Sequence, residues 1–184
     1  MTGEAESRRD VKPDPMNPTV VNGSFEADPE TEGQLPGWYY QRQLKLISEK
    51  TAAPAGERYV RFANTTPGRG SRALQGLAID GRSVTQLEIS AWIKTRDVVA
   101  GPGHLPGSDD DRLPSIALTF YDAQRRQLGH FLLGTWQGTQ DWQRVAATID
   151  VPVSTREAIL RLGLFGATGE FCVDDVRLQR ASAQ

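Results

Sequence analysis

The stretch Gln86-Leu87-Glu88-Ile89-Ser90-Ala91-Trp92-Ile93-Lys94 alternates apolar and polar side chains almost without a break. Successive side chains of a β-strand point to opposite faces, so this stretch predicts a strand with one apolar face and one polar face. Ser115–Tyr121 repeats the pattern, because Ile116, Leu118 and Phe120 occupy every second position. Strands of this kind line a core on one side and meet solvent on the other, which is typical of antiparallel sheets.

Similar short runs continue on both sides and are separated by turn signals such as Pro36-Gly37, Asp80-Gly81 and Thr168-Gly169. No stretch sustains helical spacing over several turns. About ten short strands at this spacing predict an all-β fold, an antiparallel β-sandwich of the jelly-roll type. The candidate strands are Val20–Phe25, Trp38–Ile47, Arg58–Ala63, Arg72–Ala78, Gln86–Lys94, Ser115–Asp122, Gly129–Thr135, Gln143–Val151, Ala158–Phe165 and Glu170–Leu178.

The strand pattern begins near Thr19, which predicts one β-jelly-roll domain over residues 19–180. Residues 1–18 are charged, contain three prolines and lack apolar periodicity, so a disordered leader or linker is predicted there. The longest irregular stretch, residues 97–114, contains His104 and the acidic run Asp109-Asp110-Asp111. Consecutive acids lack the spacing of a metal-binding loop, so a solvated surface loop is the favoured interpretation.

The composition argues against several partners. The 21 basic and 23 acidic residues are interleaved and leave a net charge of −2, so nucleic acid is not expected to bind. No apolar run approaches the ~20 residues needed to span a bilayer, so membrane insertion is not expected. A single cysteine, Cys172, rules out an internal disulfide and a multi-cysteine zinc cluster. No signal peptide is visible in the first residues.

Trp92 stands on the polar face of its predicted strand, between Ser90 and Lys94. A ring beside hydrogen-bonding side chains suits sugars, because the ring accepts axial C–H groups while its neighbours bind hydroxyls. The alternative is a cross-strand aromatic pair covered by a loop. The two interpretations are evenly supported for Trp92, and the alternative is favoured for Tyr121. The predicted ligand-binding residues are Trp92, Lys94, Ser90, Tyr121, Tyr39 and Gln41.

Two carboxylates near opposite ends of the sequence, Glu26 and Asp174, are candidates for a metal site. Read as a strand, Phe171–Leu178 places Asp174 and Cys172 on a mainly apolar face, which is predicted to be buried. A buried carboxylate needs hydrogen bonds, a cation or a metal. If the two termini meet, the acids form a hard oxygen site suited to Ca²⁺; it is equally possible that Asp174 and Asp175 simply open a turn. Cys172 is predicted to be unreactive, because apolar surroundings raise the pKa of a thiol.

Several segments resemble, in the same order, those of carbohydrate-binding modules of families 4, 9 and 22. The resemblance covers residues 19–178 and implies a galactose-binding-like β-jelly roll. It also implies a structural Ca²⁺ held by the side chains of Glu26 and Asp174 and by the backbone carbonyl of Ser24. The segments are Asn22-Gly23-Ser24-Phe25-Glu26, Pro36-Gly37-Trp38, Gly56–Phe62, Gln75 with Ile79-Asp80-Gly81, Ile89–Lys94, Asp141–Val145 up to Val151-Pro152, and Phe171–Val176.

The residues and the resemblance together favour a non-catalytic module that binds a polysaccharide or oligosaccharide on a concave sheet face. It would be an appendage of a secreted glycan-degrading enzyme, in an extracellular or periplasmic location. Two alternatives stay open: a structural or protein-interaction jelly roll of a surface protein, and a small jelly-roll glycoside hydrolase or polysaccharide lyase. No catalytic constellation is visible, since His104 and His130 lie in different contexts and no Gly-x-Ser-x-Gly elbow occurs. Two carboxylates within ~10 Å in a cleft would favour a hydrolase.

Overall fold

The computed structural model describes residues 13–102 and 112–182, which form two antiparallel sheets packed face to face. The first sheet has the strand order β1-β4-β9-β6-β7 and the second sheet the order β2-β3-β10-β5-β8. The predicted all-β sandwich of about ten strands is confirmed. The strands are β1 (Tyr39–Arg42), β2 (Leu44–Ser48), β3 (Arg58–Asn64), β4 (Ser71–Ala78), β5 (Gln86–Val99), β6 (Ser115–Tyr121), β7 (Gln127–Gly134), β8 (Gly138–Asp150), β9 (Glu157–Phe165) and β10 (Thr168–Arg180).

The core lies between the sheets and is built from every second residue of each strand. The predicted apolar faces of β5 and β6 are both buried there, as the near-zero exposure of Ile93 and Leu118 shows. Rings from several elements complete the packing. Phe171 of β10 stacks on Phe62, with ring centroids 6.3 Å apart, and on Trp136, at 5.5 Å.

Two predicted strands differ from the structure, and both differences are caused by left-handed backbone residues. The predicted strand Val20–Phe25 is a series of turns, since Asn22 has a φ of 49° and Phe25 a φ of 60°. The predicted strand Trp38–Ile47 is divided at Gln43, which has a φ of 55°. A non-glycine residue with this φ interrupts a strand, so the chain passes from the first sheet to the second at that point.

A β-bulge in β10 corrects the predicted face of Asp174. Asp174 is opposite Trp92 and Arg177 is opposite Ser90, so β10 has one residue more than β5 in this interval. Asp175 has a φ of 46°, and the alternation shifts by one position there. Val176 therefore points into the core, whereas Cys172 and Asp174 belong to the outer parity of the sheet. Asp174 is nevertheless 0 % exposed, because it lies under the loop between β2 and β3.

The ends of the two irregular regions are also described. Residues 13–18, part of the predicted leader, form a turn in which Asp14 accepts from Met16 N and the carbonyl of Pro15 accepts from Asp80 N at 2.9 Å. The rest of that predicted leader, residues 1–12, lies outside the described residues. β5 continues to Val99 rather than ending at Lys94. His104 and the acidic run of the predicted surface loop also lie outside the described residues.

Within residues 13–102 and 112–182, no helix is long and apolar enough to cross a membrane.

Candidate functional site

The structure distributes the predicted ligand-binding residues over two opposite surfaces of the sandwich. Ser90, Trp92 and Lys94 lie on the outer face of the second sheet, on β5. Tyr121 lies on β6, and Tyr39 and Gln41 lie on β1, both strands of the first sheet. The prediction that Tyr121, Tyr39 and Gln41 surround Trp92 is therefore wrong. Alternation shows which side chains face outward, but it does not show to which sheet a strand belongs.

An aromatic contact covers part of the outer face of the second sheet. The rings of Tyr59 on β3 and Trp142 on β8 meet edge to face, with centroids 5.3 Å apart. Since β10 and β5 lie between β3 and β8, this contact reaches across both strands. Cys172, whose side chain points outward between Arg61 and Lys94 on this sheet, is only 6 % exposed, and burial raises the pKa of its thiol to about 12. Cys172 is buried as predicted, but on the outer face of the sheet rather than in the apolar core.

The polar neighbours of Trp92 are largely engaged with one another. Arg144 of β8, directly opposite Trp92, donates to Ser90 Oγ at 3.1 Å and lies 3.8 Å from the Asp175 carboxylate. Arg177 donates to the same carboxylate at 2.9 Å. Lys94 forms an ion pair of 3.6 Å with Asp141. Trp92 itself is half-buried. A groove of about 470 Å³ runs along this face and is lined by Glu88, Ser90, Arg144, Thr148, Arg177 and Gln179, among others.

We call the outer face of the first sheet the trough, because several of its outward residues are small. Its small residues are Gly76, Ala117, Thr119 and Gly163, and the larger side chain of Ile159, opposite both Gly76 and Thr119, lies between them on the same face. Ala117 is only 1 % exposed although it points outward, because its cross-strand neighbours on this face are the longer side chains of Arg161 and Leu132. A Cβ atom added at Gly76 would meet no other atom within 4 Å, so the space above this glycine is open.

An exposed ring stands at the edge of the trough. Tyr39 pairs with Leu74 of β4 and Arg42 pairs with Arg72, so a bulge separates the two pairs and leaves Tyr39 and Arg42 on the same outward side. Tyr39 is 64 % exposed. The bulge turns Gln41 inward, where its amide donates to the carbonyls of Leu35 and Trp38 at 2.8 Å each. Gln41 thus holds the turn before β1 and does not face the trough.

On the side of the trough away from β1, strands β6, β7 and β9 carry polar groups. The Thr119 hydroxyl lies 2.9 Å from His130 Nδ1. Tyr121, half-buried, is opposite Glu157, and that carboxylate accepts from Arg125 at 2.9 Å. Among the outward positions of the five described strands, Glu157 is the one acid. Sequence reasoning missed Arg72, His130 and Arg161 here, because only the strand order brings them together.

Glu26 and Asp174 meet at the same loop, as the candidate metal site requires. Asp174 accepts from Ala55 N at 3.0 Å, and Glu26 accepts from Glu57 N and Arg58 N at 2.9 Å each. The Ser24 segment is adjacent, because the carbonyl of Gly23 accepts from Val176 N at 2.8 Å. The pKa of Asp174 is raised to about 6, mainly by burial and to a smaller extent by the charges of Asp175 and Glu26, while bonds from the backbone N–H groups of Ala55 and Asp175 oppose the shift.

Glu26 and Asp174 supply oxygen donors of the kind that Ca²⁺ binds. In the described part of the chain, neither carboxylate forms an ion pair with a side-chain cation, so a buried negative charge stays uncompensated. Both carboxylates keep free lone pairs, and hard oxygen donors with backbone carbonyls are what Ca²⁺ takes. No described group of three or more His, Cys, Asp or Glu side chains could hold a metal. Carbonyl oxygens would therefore complete the coordination.

Comparisons with known proteins agree on the fold. No protein-family model and no curated protein sequence matches the chain. Among solved structures, a family 16 carbohydrate-binding module is similar, with a TM-score of 0.55 and 20 % identity over 86 % of this chain and 97 % of that one. The CBM22-1 xylan-binding domain from Paenibacillus barcinonensis Xyn10C has a TM-score of 0.52 and 16 % identity, over 93 % of this chain and 97 % of that one.

A catalytic protein is similar as well. The enzymatically active domain of bacteriophage CBA120 tailspike protein 4 has a TM-score of 0.59 and 12 % identity over 86 % of this chain, which spans 21 % of the tailspike chain. At these identities the likeness concerns the fold alone. The chain has the β-jelly-roll fold of carbohydrate-binding modules.

Proposed function

We propose that this protein is a non-catalytic carbohydrate-binding module and that a polysaccharide or oligosaccharide lies in the trough of the first sheet. The observation that carries the proposal is the open space at Gly76 beside the exposed ring of Tyr39. The open space at Gly76 leaves room for part of a pyranose ring, and Tyr39 offers a flat apolar surface to its C–H groups. His130 and Thr119 supply hydrogen-bonding groups for hydroxyls.

The outer face of the second sheet supports sugar binding less well. Trp92 is half-buried, and of the side chains expected to bind hydroxyls beside it, Ser90 accepts from Arg144 and Lys94 forms an ion pair with Asp141. Its groove has two arginines on one buried acid, an arrangement that holds the sheet face together. The trough is therefore the better candidate, and binding there is expected to be modest, roughly micromolar to millimolar.

A titration of the purified domain with a panel of soluble polysaccharides and their oligosaccharides tests the proposal. Isothermal calorimetry should detect at least one ligand. Tyr39→Ala should weaken its binding about tenfold, since the exposed ring is lost. Gly76→Leu should weaken it by blocking the space at this position, and it should not lower stability, because the added side chain meets open space. Trp92→Ala is the matched control on the opposite face and should leave affinity unchanged.

The outcomes separate the candidate roles. Affinity lost in Trp92→Ala but kept in Tyr39→Ala and Gly76→Leu would move the site to the second sheet. Binding to no glycan in the panel would overturn the proposal and favour a structural or protein-interaction jelly roll. Release of reducing ends from a bound polysaccharide would show an enzyme. In a longer protein, the domain would serve to hold an attached catalytic domain on its glycan, outside the cell or in the periplasm.

We further propose that Ca²⁺ binds between Glu26 and Asp174, with the Ser24 carbonyl and carbonyls of the loop between β2 and β3. The buried, uncompensated Asp174 carboxylate supports this role. The ion would tie the segment before β1 to β10, and binding to the folded state alone would raise stability by mass action. Melting with excess Ca²⁺ and with a chelator tests it, and equal melting temperatures in the two conditions would count against the site.

A further inference from the structure

We propose that the trough selects an acidic glycan, one whose uronate carboxylates bind a cluster of arginines at one end of the first sheet. This inference rests on the proposed carbohydrate-binding function. The cluster, which we call the arginine corner, consists of Arg42, Arg69, Arg72 and Arg161. Arg42 and Arg72 are directly opposite each other on β1 and β4. Arg161 of β9 is opposite Leu74, and so it is a diagonal neighbour of Arg72 on the same face.

The fourth arginine is held beside the first two by an amide. The guanidinium of Arg69, in the turn before β4, donates to the side-chain carbonyl of Gln43 at 2.9 and 3.2 Å when that amide is in its hydrogen-bonding orientation. Gln43 follows Arg42 directly in the chain. Arg161 is anchored differently, with its guanidinium carbon 5.4 Å from the centroid of the Phe165 ring. The cluster thus has built contacts that orient its side chains.

The charges of Arg42, Arg69 and Arg72 are not neutralised by the described residues. In the described ranges, Arg42, Arg69 and Arg72 take part in no ion pair. Arg72 Nε is buried and has no hydrogen-bond partner among the described residues. The one acid on this face, Glu157, is opposite Ala78 at the other end of β4 and is bonded to Arg125. Opposed like charges and an unpaired buried donor both cost free energy, and a bound anion would remove both costs.

The surroundings favour a carboxylate on a sugar over other anions. A planar guanidinium binds a carboxylate through two parallel N–H bonds, a geometry that fixes orientation as well as charge. The exposed Tyr39 ring lies on the same side as Arg42, so a sugar ring stacked there would carry its carboxylate towards the corner. The chain as a whole has a net charge of −2, which disfavours a nucleic-acid polyanion.

The test compares polymers that differ only in the acidic group. Affinity is measured by calorimetry for a uronate oligosaccharide, its neutral methyl-ester or neutral-sugar counterpart, a sulfated glycan and a single-stranded oligonucleotide, at low and high salt. The uronate oligosaccharide should bind at least tenfold more tightly than its neutral counterpart, and salt should reduce that advantage. The double variant R42Q/R72Q should lose the advantage and keep binding of the neutral sugar. The matched double variant R144Q/R177Q, on the second sheet, should keep the advantage.

Each alternative result overturns the inference in a recognisable way. Equal affinity for the uronate and the neutral sugar would overturn the inference of acidic-glycan selection but would leave the proposed carbohydrate-binding function intact. A stronger response to the sulfated glycan or to the oligonucleotide would show that the corner does not select a carboxylate. Binding to none of the glycans would overturn both this inference and the proposed function. Circular dichroism and melting curves confirm that each variant is folded.

Discussion

The two outer faces of the sandwich are built from similar alternating strands and yet differ in almost every respect that matters for binding. On the second sheet, Trp142 and Tyr59 meet across two strands, and Arg144 and Arg177 share the Asp175 carboxylate. On the first sheet, the trough is open at Gly76 and the Tyr39 ring stands in solvent. Aromatic and charged residues therefore mark a binding face only when they lack partners within their own sheet.

The difference leads to opposite expectations for mutations. Residues on the second sheet contact one another, so their removal should be felt mainly as lost stability. On the first sheet, Tyr39 is exposed and Gly76 faces open space, so changes at these two positions should mainly lower ligand affinity.

Asp174, beside Trp92 on the second sheet, should make the metal-free domain less stable as pH rises. Burial raises its pKa to about 6, above the ordinary value of about 4, so the folded state binds the proton more tightly than the unfolded state. The free energy of unfolding should then be highest below pH 4 and fall by up to about 3 kcal/mol as pH passes through 6. Urea unfolding in a chelator between pH 4 and pH 7 measures this loss.

The matched variant is Asp174→Asn, which cannot ionise and keeps an acceptor oxygen. It should abolish this part of the pH dependence in the chelator and also abolish any stabilisation by added Ca²⁺. A wild-type domain that gains stability between pH 4 and pH 7 in the chelator would contradict the assignment to a buried, uncompensated carboxylate.

Trp142→Ala should lower the free energy of unfolding by about 2 kcal/mol, less than for a fully buried aromatic because the ring is half-buried. The reason is the lost packing on Tyr59 across the second sheet. Tyr39→Ala on the first sheet is the control and should change stability by no more than about 0.5 kcal/mol. Denaturant unfolding of both variants measures the contrast, and equal losses would remove the distinction between a closed and an open face.

The rate at which Cys172 is labelled should measure how well the Tyr59–Trp142 contact shields the outer face of the second sheet. In the native protein its labelling by a thiol reagent should be slow, because the side chain is 6 % exposed and burial raises its pKa to about 12. Trp142→Ala should speed the labelling at least tenfold, since part of the cover is removed. Tyr39→Ala should leave the rate unchanged. Rapid labelling of the wild-type protein would show that the aromatic contact does not shield this face.

Replacing Arg42 and Arg72 by Gln should leave stability unchanged or raise it slightly, by up to about 0.5 kcal/mol at low salt. The two side chains are opposed like charges without ion-pair partners in the described ranges. The gain should disappear near 1 M salt, where the screening length is about 3 Å. Unfolding curves at low and high salt measure it. A fall of more than 1 kcal/mol in the free energy of unfolding would mean that these arginines stabilise the sheet and are not an unpaired site for an anion.

Where sequence reasoning succeeded, the signal was local. The alternation in Gln86–Lys94 and Ser115–Tyr121 placed the core side chains of β5 and β6 correctly. The burial of Asp174 was also predicted, although its cause is the loop at Ala55 and not the apolar core. The convergence of Glu26 and Asp174 on that loop came from the resemblance of the terminal segments, since residues so far apart in the chain carry no local signal of contact.

Where sequence reasoning failed, the position of a side chain depended on long-range contacts or on one residue with a left-handed backbone. The change of sheet at Gln43 and the bulge at Asp175 each shift the chain by one position, and alternation continues on both sides of such a shift. The ligand-binding set was consequently assembled from two sheets. Whether Trp92 is open or covered depends on β3 and β8, whose partners in the sheet are far away in sequence.

By itself, the sequence determined the class of fold, the strands and the residues that line the core, because a period of two residues and local turn chemistry act over a few neighbouring positions. Only the tertiary structure decided which outward side chains share a face, which of them have partners and which are left open to a ligand. The physical reason is that strand order and burial depend on pairings between distant segments, and these are selected by the packing of the whole core.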